Sequence, residues 1–116
     1  MRTFRFFDFP VYRDAVNFYI SLLSILTQLS DFVIKDQAKR AGLSIILNIA
    51  EGSAVKSDKE FARYLEKSLG SANEVAACLD VMFRINLISY EVFIEMINKC
   101  ELISKQLGGF KKSLLP

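Results

Sequence analysis

The chain has 116 residues, of which 52% are apolar and 24% charged, and its formal net charge at neutral pH is +2. A chain of this length forms one domain, and this composition is too apolar for intrinsic disorder. Histidine is absent, which removes the usual general base and the commonest metal ligand, and five glycines and two prolines are too few for a turn-rich β-sandwich. The composition therefore predicts an all-α domain with no cofactor and no metal site.

Residues 1–9 form an aromatic-rich segment without helical periodicity, and we expect an extended arm that packs against another surface; it carries Phe4, Phe6, Phe7 and Phe9. Pro10 suits the first turn of a helix over residues 10–30, with Asp8 as its cap. Apolar residues occupy most of the circumference of this helix, which predicts that it buries more than one face. Such burial favours packing between copies of the chain.

A second helix is predicted over residues 33–54, after a break at Ser30 and Asp31. Its polar residues recur at spacings of three and four and therefore share one face; they are Gln37, Arg40, Ser44, Asn48 and Glu51. One interpretation is a solvent-facing stripe. The other is a polar seam inside the bundle or along the axis of an oligomer, where each group needs a hydrogen-bonding partner.

Two further helices follow, over residues 58–86 and 90–107, with the second ending near Gly108 and Gly109. Ser57 and Glu60 form a capping box at the start of the third helix, and Ser89 is the predicted cap of the fourth. Gly70 lies in mid-helix, where glycine costs about 1 kcal/mol relative to alanine. This position predicts that another backbone passes close by.

Short loops connect all four predicted helices, so each helix must run antiparallel to its neighbour in the chain. The sequence therefore predicts one domain over residues 1–116, an antiparallel up-down-up-down four-helix bundle. Helices of these lengths are roughly 30–43 Å long at about 1.5 Å per residue.

Sequence motifs for catalysis are missing: there is no phosphate-binding glycine loop, no nucleophile elbow and no histidine base. Cys78 and Cys100 are isolated within apolar patterns and are expected to be buried, reduced thiols. The beginning of the chain does not resemble a signal peptide, and no apolar stretch reaches the ~20 residues of a membrane span. These features predict a cytoplasmic protein without enzymatic activity or a membrane partner.

Basic residues cluster at the start of the third helix, where Lys59, Arg63 and Lys67 recur every fourth residue on one face. Lys56, Lys111 and Lys112 could join them. One interpretation is a set of phosphate contacts for RNA or DNA, which would be insensitive to base sequence and sensitive to salt. The other is an ordinary solvated face, neutralised locally by Glu60 and Glu66.

The spacing Q-x-x-R-A-x-x-S-I-x-x-N-I-A-E-G over residues 37–52, followed by G-S-x-x-E over residues 70–74, resembles the four helix bundle protein family, which is encoded within intervening sequences of bacterial large-subunit ribosomal RNA genes. The family is itself similar to the accessory variability protein of diversity-generating retroelements. The resemblance implies a ring of subunits, commonly a homopentamer, with affinity for nucleic acid. Its motif residues are Gln37, Arg40, Ser44, Asn48, Glu51, Gly70, Ser71 and Glu74.

A hairpin that closes near residues 52–58 brings Arg40 opposite Glu74, and we expect these two to pair, so that Arg40→Ala would weaken folding or assembly. The function expected is that of a non-enzymatic homo-oligomeric accessory protein that binds structured RNA through its basic patches. The alternative is a structural or adaptor oligomer whose partner is another protein, with the first helix and the Phe4–Phe9 arm as apolar contacts.

Overall fold

The computed structural model describes residues 3–116, so the first two residues of the predicted arm lie outside the described part. Within residues 3–116 the chain has no strand and forms four α-helices: α1 (Pro10–Leu26), α2 (Phe32–Gly52), α3 (Asp58–Arg84) and α4 (Tyr90–Leu114). The predicted all-α class is confirmed. None of these helices is both long and apolar enough to cross a membrane.

The arm differs from the extended segment that the sequence predicts. Arg5–Asp8 form a single turn of 3₁₀ helix directly before α1. Phe9, and not Asp8, occupies the cap position of α1, where the Phe9 carbonyl accepts hydrogen bonds from the backbone of Tyr12 at 3.1 Å and of Arg13 at 3.2 Å. Pro10 takes the first helical position as predicted.

The remaining helix starts follow the sequence signals closely. In each case the cap side chain accepts a hydrogen bond from the backbone amide three residues on; the pairs are Asp31 with Ile34, Ser57 with Glu60, and Ser89 with Val92. Asn86, at the end of α3, has a φ of 65°. Asparagine tolerates this left-handed conformation, and its presence there stops the helix.

All four helices end at residues other than those predicted; α2 and α3 each end two residues early, and the other two differ by more. α1 stops at Leu26 and not at residue 30, and the backbone amides of Gln28 and Leu29 donate to the carbonyls three residues back, which tightens the last turn. The Thr27 hydroxyl and the Gln28 side-chain amide both donate to the Ser24 carbonyl in this turn. α4 runs through Gly108 and Gly109 to Leu114, beyond the predicted end at residue 107. Both glycines keep helical backbone, and packing of the following apolar side chains on the core outweighs their low helix propensity.

One buried core joins all four helices, and the contacts between them fix how their ends are grouped. Along α2 and α3, residue numbers fall on one helix as they rise on the other, since Ser68 contacts Ile45 and Glu74 contacts Gln37. α1 contacts α4, with Gln106 donating to Asp14 at 2.9 Å.

These contacts bring three segments together at one end of the bundle. The Phe61 ring, in the first turn of α3, lies 6.1 Å from the ring of Phe9 and 5.1 Å from that of Phe110. We call this the arm end and define it as residues 3–9, 53–67 and 110–116. The far end comprises residues 27–39 and 80–95; there Leu29 and Ile88 line one small pocket.

Two glycines of α2, one in its middle and one at its end, lie where the helix packs too closely against its neighbours for a larger residue. A Cβ atom on Gly52 would lie 2.7 Å from the Cβ of Tyr64 and 2.8 Å from the ring of Phe61. A Cβ on Gly42 would lie 2.8 Å from the ring of Tyr19. At Gly70, by contrast, no described atom lies within 4 Å of the Cβ position, so the predicted close backbone is wrong for this chain.

We therefore expect Gly52→Ala to lower the free energy of unfolding by about 1–3 kcal/mol, because the new methyl group meets a backbone-proximal carbon that cannot move aside. Gly70→Ala is the matched control, and it should raise that free energy by up to about 1 kcal/mol through helix propensity alone. Urea unfolding followed by circular dichroism measures both. Destabilisation by Gly70→Ala would mean that an unseen backbone approaches this position.

Candidate nucleic-acid interface

The polar face of α2 forms a seam along its contact with α3. The Asn48 amide donates to the Ser44 carbonyl at 2.9 Å and to the Ser44 hydroxyl at 3.0 Å. The Ser71 hydroxyl of α3 lies 2.8 Å from the Ser44 hydroxyl, and the Gln37 amide donates to the Glu74 carboxylate. Five of the predicted motif residues on two helices are thereby linked, in one group of three and one pair.

The seam lies at the margin of the bundle, so it is neither a fully solvent-facing stripe nor a fully buried polar seam. Ser44, Asn48 and Ser71 are half-buried, whereas the two ends of the polar face, Gln37 and Glu51, are exposed. The fully buried polar group is Ser68, whose hydroxyl donates to the Ile45 carbonyl at 2.7 Å. Ser68 is absent from the predicted motif, because a serine among apolar positions carries no signal of its partner.

The expected pair between Arg40 and Glu74 is wrong. Arg40 donates from Nε to Asp36 on the same helix at 2.9 Å, and its side chain is 75% exposed. The hydrogen bond and the charge of Asp36 raise the pKa of Arg40 above its usual value. The partner of Glu74 is Gln37, which faces α3 where Arg40 faces solvent. Gln37, about one turn closer to the start of α2, thus makes the contact with Glu74 that the sequence predicts for Arg40.

The basic stripe of α3 is exposed as predicted. Lys59, Arg63 and Lys67 are all exposed, and Lys67 places its ammonium group 4.7 Å from the centre of the Tyr64 ring. Among residues 3–116, no carboxylate lies within ion-pair distance of Lys59 or Arg63. Both charges are therefore available to a ligand.

The expected local pairing of Arg63 with Glu66 is also wrong, because this carboxylate pairs with a lysine of a different helix. Lys111 of α4 lies 3.8 Å from Glu66, and this contact brings the end of α4 beside the basic stripe. Lys56 and Lys112 are exposed in the preceding loop and near the end of α4, respectively. All six predicted basic residues thus belong to the arm end.

Arg5 is a part of this end that the sequence analysis leaves without a role. Its Nε donates to the Ser53 carbonyl at 2.9 Å. Its guanidinium carbon lies 5.8 Å from the centre of the Phe9 ring and 5.3 Å from that of Phe61. The arginine therefore fastens the arm to the end of α2 and the start of α3. In the sequence, phenylalanine flanks Arg5 on both sides, but this pattern does not identify Ser53 as the partner of the arginine.

Charge is distributed unevenly between the two ends of the bundle. The arm end carries seven basic residues against four acidic ones: Arg5, Lys56, Lys59, Arg63, Lys67, Lys111 and Lys112 against Asp8, Asp58, Glu60 and Glu66. The far end carries three basic residues against five acidic ones: Lys35, Lys39 and Arg84 against Asp31, Asp36, Asp80, Glu91 and Glu95. A chain of nearly neutral total charge thus has a positive end and a negative end.

The described part of the chain offers little support for a cysteine nucleophile or a metal site. Cys78 and Cys100 are free and buried, as predicted, and burial raises the pKa of Cys100 to about 11. Burial and the nearby Glu74 raise the pKa of Cys78. Both thiols are therefore protonated at neutral pH and poor nucleophiles. Residues 3–116 contain no group of three or more cysteine or carboxylate side chains that could hold a metal ion.

An open groove of about 450 Å³ separates α1 from α4. Its walls combine the buried side chains Phe18 and Ile103 with Asp14 and Lys105 at the rim. Ile20 and Leu102, on the flanking surfaces of the two helices, are 60% and 61% exposed. α1 therefore has an apolar surface that the single chain does not cover completely.

The seam predicts different roles for two polar residues. We expect Ser68→Ala to lower the free energy of unfolding by about 0.5–1.5 kcal/mol, because it removes a buried hydrogen bond between helices. Arg40→Ala should leave the melting temperature unchanged, because the lost ion pair is local and exposed. Thermal unfolding by circular dichroism compares the two variants. An equal loss of stability in both would show that Arg40 has a tertiary role after all.

Comparison with known proteins agrees with the motif. The sequence model of the 23S rRNA-intervening sequence protein family matches residues 8–109. The crystal structure of a protein with unknown function from the S23 ribosomal protein family, from Bacteroides thetaiotaomicron VPI-5482, is similar at a TM-score of 0.85 and 27% identity, over 88% of this chain and 98% of that one. No curated protein matches the chain. Since the family match spans most of its length, the chain belongs to the 23S rRNA-intervening sequence protein family.

Proposed function

We propose that this protein is a non-enzymatic, homo-oligomeric accessory protein that binds structured RNA through the arm end of its bundle. The observation that carries the proposal is the concentration of exposed basic side chains at one end of a nearly neutral chain. Lys59 and Arg63 have no ion-pair partner among residues 3–116, so their charges are available to phosphates. The family description refers to 23S rRNA, which makes RNA the polyanion to test first.

The basic side chains have the geometry of phosphate contacts more than of base contacts. Lys59, Arg63 and Lys67 follow one another about 6 Å apart along a helix, which is comparable to the spacing of phosphates along a strand. Their neighbours Lys111 and Lys112 come from a different helix and widen the stripe into a patch. Binding through such a patch depends on salt and only weakly on base sequence.

The bundle supporting this patch is, in our proposal, an antiparallel up-down-up-down arrangement. In support, Gln37 contacts Glu74 and Ile45 contacts Ser68, so residue numbers fall on α3 as they rise on α2. Likewise Phe9 contacts Phe110 and Asp14 contacts Gln106, so residue numbers fall on α4 as they rise toward and along α1. The rings of Phe83 and Phe93 stack across the turn between α3 and α4 at 5.0 Å, as expected for a tight helical hairpin. We place the protein in the cytoplasm, where it would meet ribosomal RNA.

Several copies would enlarge the basic patch, and we propose that they assemble through the groove between α1 and α4. Leu102 lines the groove and Ile20 lines the adjoining pocket between the same two helices, and both side chains are about 60% exposed. Contiguous exposed apolar surface of this kind marks contact sites between proteins. Assembly through the groove between α1 and α4 would leave the basic stripe of α3 exposed. The family resemblance implies a ring, commonly of five subunits, in which the positive ends would share one side.

The second candidate function is that of a structural or adaptor oligomer that binds another protein. The exposed rings of the arm favour it, since Phe4 is 52% and Phe7 43% exposed. In that case the basic residues would be an ordinary solvated surface. A measurement of RNA binding distinguishes the two candidate functions.

For RNA binding, we expect the triple variant Lys59→Ala, Arg63→Ala, Lys67→Ala to bind a structured ribosomal RNA fragment at least about tenfold more weakly. The slope of log affinity against log salt concentration should fall by about 2 to 3, because three phosphate contacts are lost. Gel-shift or anisotropy titrations at about 50 and about 200 mM salt measure both quantities.

The matched control removes three basic residues from the far end, with the variant Lys35→Ala, Lys39→Ala, Arg84→Ala. Its affinity and salt slope should stay close to those of the unmodified protein. Equal losses in the two triple variants would indicate a general charge effect and contradict binding at the arm end. Absence of any shift at low salt would favour the protein-binding alternative.

For assembly, we expect the double variant Ile20→Lys, Leu102→Lys to elute as a single chain of 13.2 kDa, because two buried ammonium groups would oppose the apolar contact. Leu47→Lys, at a residue 47% exposed on α2, is the control and should keep the full assembly. Size-exclusion chromatography with light scattering measures the masses. A monomeric unmodified protein at micromolar concentration would overturn the oligomer proposal.

A further inference from the structure

The aromatic residues of the arm form an exposed cluster that the basic patch does not account for. The ring of Phe6 lies 4.6 Å from that of Phe7 and 4.8 Å from that of Tyr12, measured between centroids. Phe4 joins the cluster at 6.1 Å from Phe6. Phe6 and Tyr12 are half-buried, whereas Phe4 and Phe7 keep 52% and 43% of their surface exposed. Two rigid aromatic surfaces are thus held open to solvent.

This cluster is fixed in position relative to the basic residues. Arg5, between Phe4 and Phe6 in sequence, hydrogen-bonds the Ser53 carbonyl at 2.9 Å. Lys56 is three residues further along that loop, within about 11 Å by chain length. Phe9 anchors the other side of the arm by stacking on Phe61. The arm that carries the exposed rings is therefore attached to the loop that carries Lys56 and to the start of α3, where the basic stripe begins.

We propose that Phe4 and Phe7 stack on unpaired bases of the RNA, so that the preferred substrate is an RNA with a single-stranded segment. This inference rests on the proposed function, because the basic patch supplies the attraction for phosphates. Charge complementarity selects the occupant: phosphates pair with the lysines and arginines, while bases offer flat apolar faces to the phenyl rings. Duplex RNA hides those faces within its stack and offers only phosphates and hydroxyls.

The test compares two fluorescent probes, a single-stranded oligoadenylate of about ten nucleotides and an RNA duplex of the same length. In the double variant Phe4→Leu, Phe7→Leu, apolar volume is kept and the aromatic faces are lost. We expect its affinity for the single strand to fall about tenfold or more, and its affinity for the duplex to stay unchanged. The variant Phe4→Tyr, Phe7→Tyr keeps the aromatic faces and should bind both probes normally.

A matched control for exposed aromatic surface lies at the far end of the bundle. Phe32 is 77% exposed at the negative end of the bundle, away from the basic patch, and Phe32→Leu should leave the affinity for both probes unchanged. Circular dichroism and light scattering on each variant report whether the fold and the subunit number are kept.

The outcomes separate the stacking proposal from RNA binding itself. If the leucine variant binds the single strand normally while the variant lacking Lys59, Arg63 and Lys67 loses both probes, stacking is wrong and RNA binding stands. If the unmodified protein binds neither probe at low salt, both proposals fall. If the leucine variant loses subunits without losing affinity, the arm is a contact between copies, and the stacking proposal is overturned.

Discussion

Phe61, the first buried residue of α3, is the point where four segments of the chain meet. Its ring contacts those of Phe9 before α1 and Phe110 near the end of α4, and the guanidinium of Arg5 lies over it. The end of α2 approaches so closely that Gly52 has no room for a side chain. Because one aromatic group holds the arm and three helix ends, the arm end is a fixed surface.

The basic patch depends on this packing. Arg5, Lys59 and Lys111 are far apart in sequence. Burial of apolar rings brings their segments together, and the resulting free energy offsets the repulsion between the gathered positive charges. The charged residues themselves make few contacts with one another. Lys59 and Arg63 stay exposed and without a carboxylate partner among residues 3–116, because the packing at this end involves the aromatic rings and not the charged groups.

The polar seam between α2 and α3 has a different character. Its hydrogen bonds join serine, asparagine and glutamine side chains at the margin of the bundle, where water can reach some of them. Such bonds add little net stability, but a one-residue slip of α2 along α3 would break them together. The seam therefore fixes the register of the two helices, and the family motif over residues 37–74 is explained as a structural device more readily than as a binding site.

The sequence by itself determined the four helices, their caps at Ser57 and Ser89, and the shared faces of the polar and basic residues, because periodicity and capping depend on neighbours within one or two turns. It also determined the family, through a motif of fixed spacing. Only the tertiary structure decided the partners of the charged side chains: Arg40 pairs with Asp36 on its own helix and not with Glu74, and Glu66 pairs with Lys111 on α4. A shift of one helical turn changes the partner of a side chain without changing the periodicity of the sequence. The same holds for the arm and the end of α4, where local signals for an extended chain and a glycine stop were overridden by rings packing on Phe61.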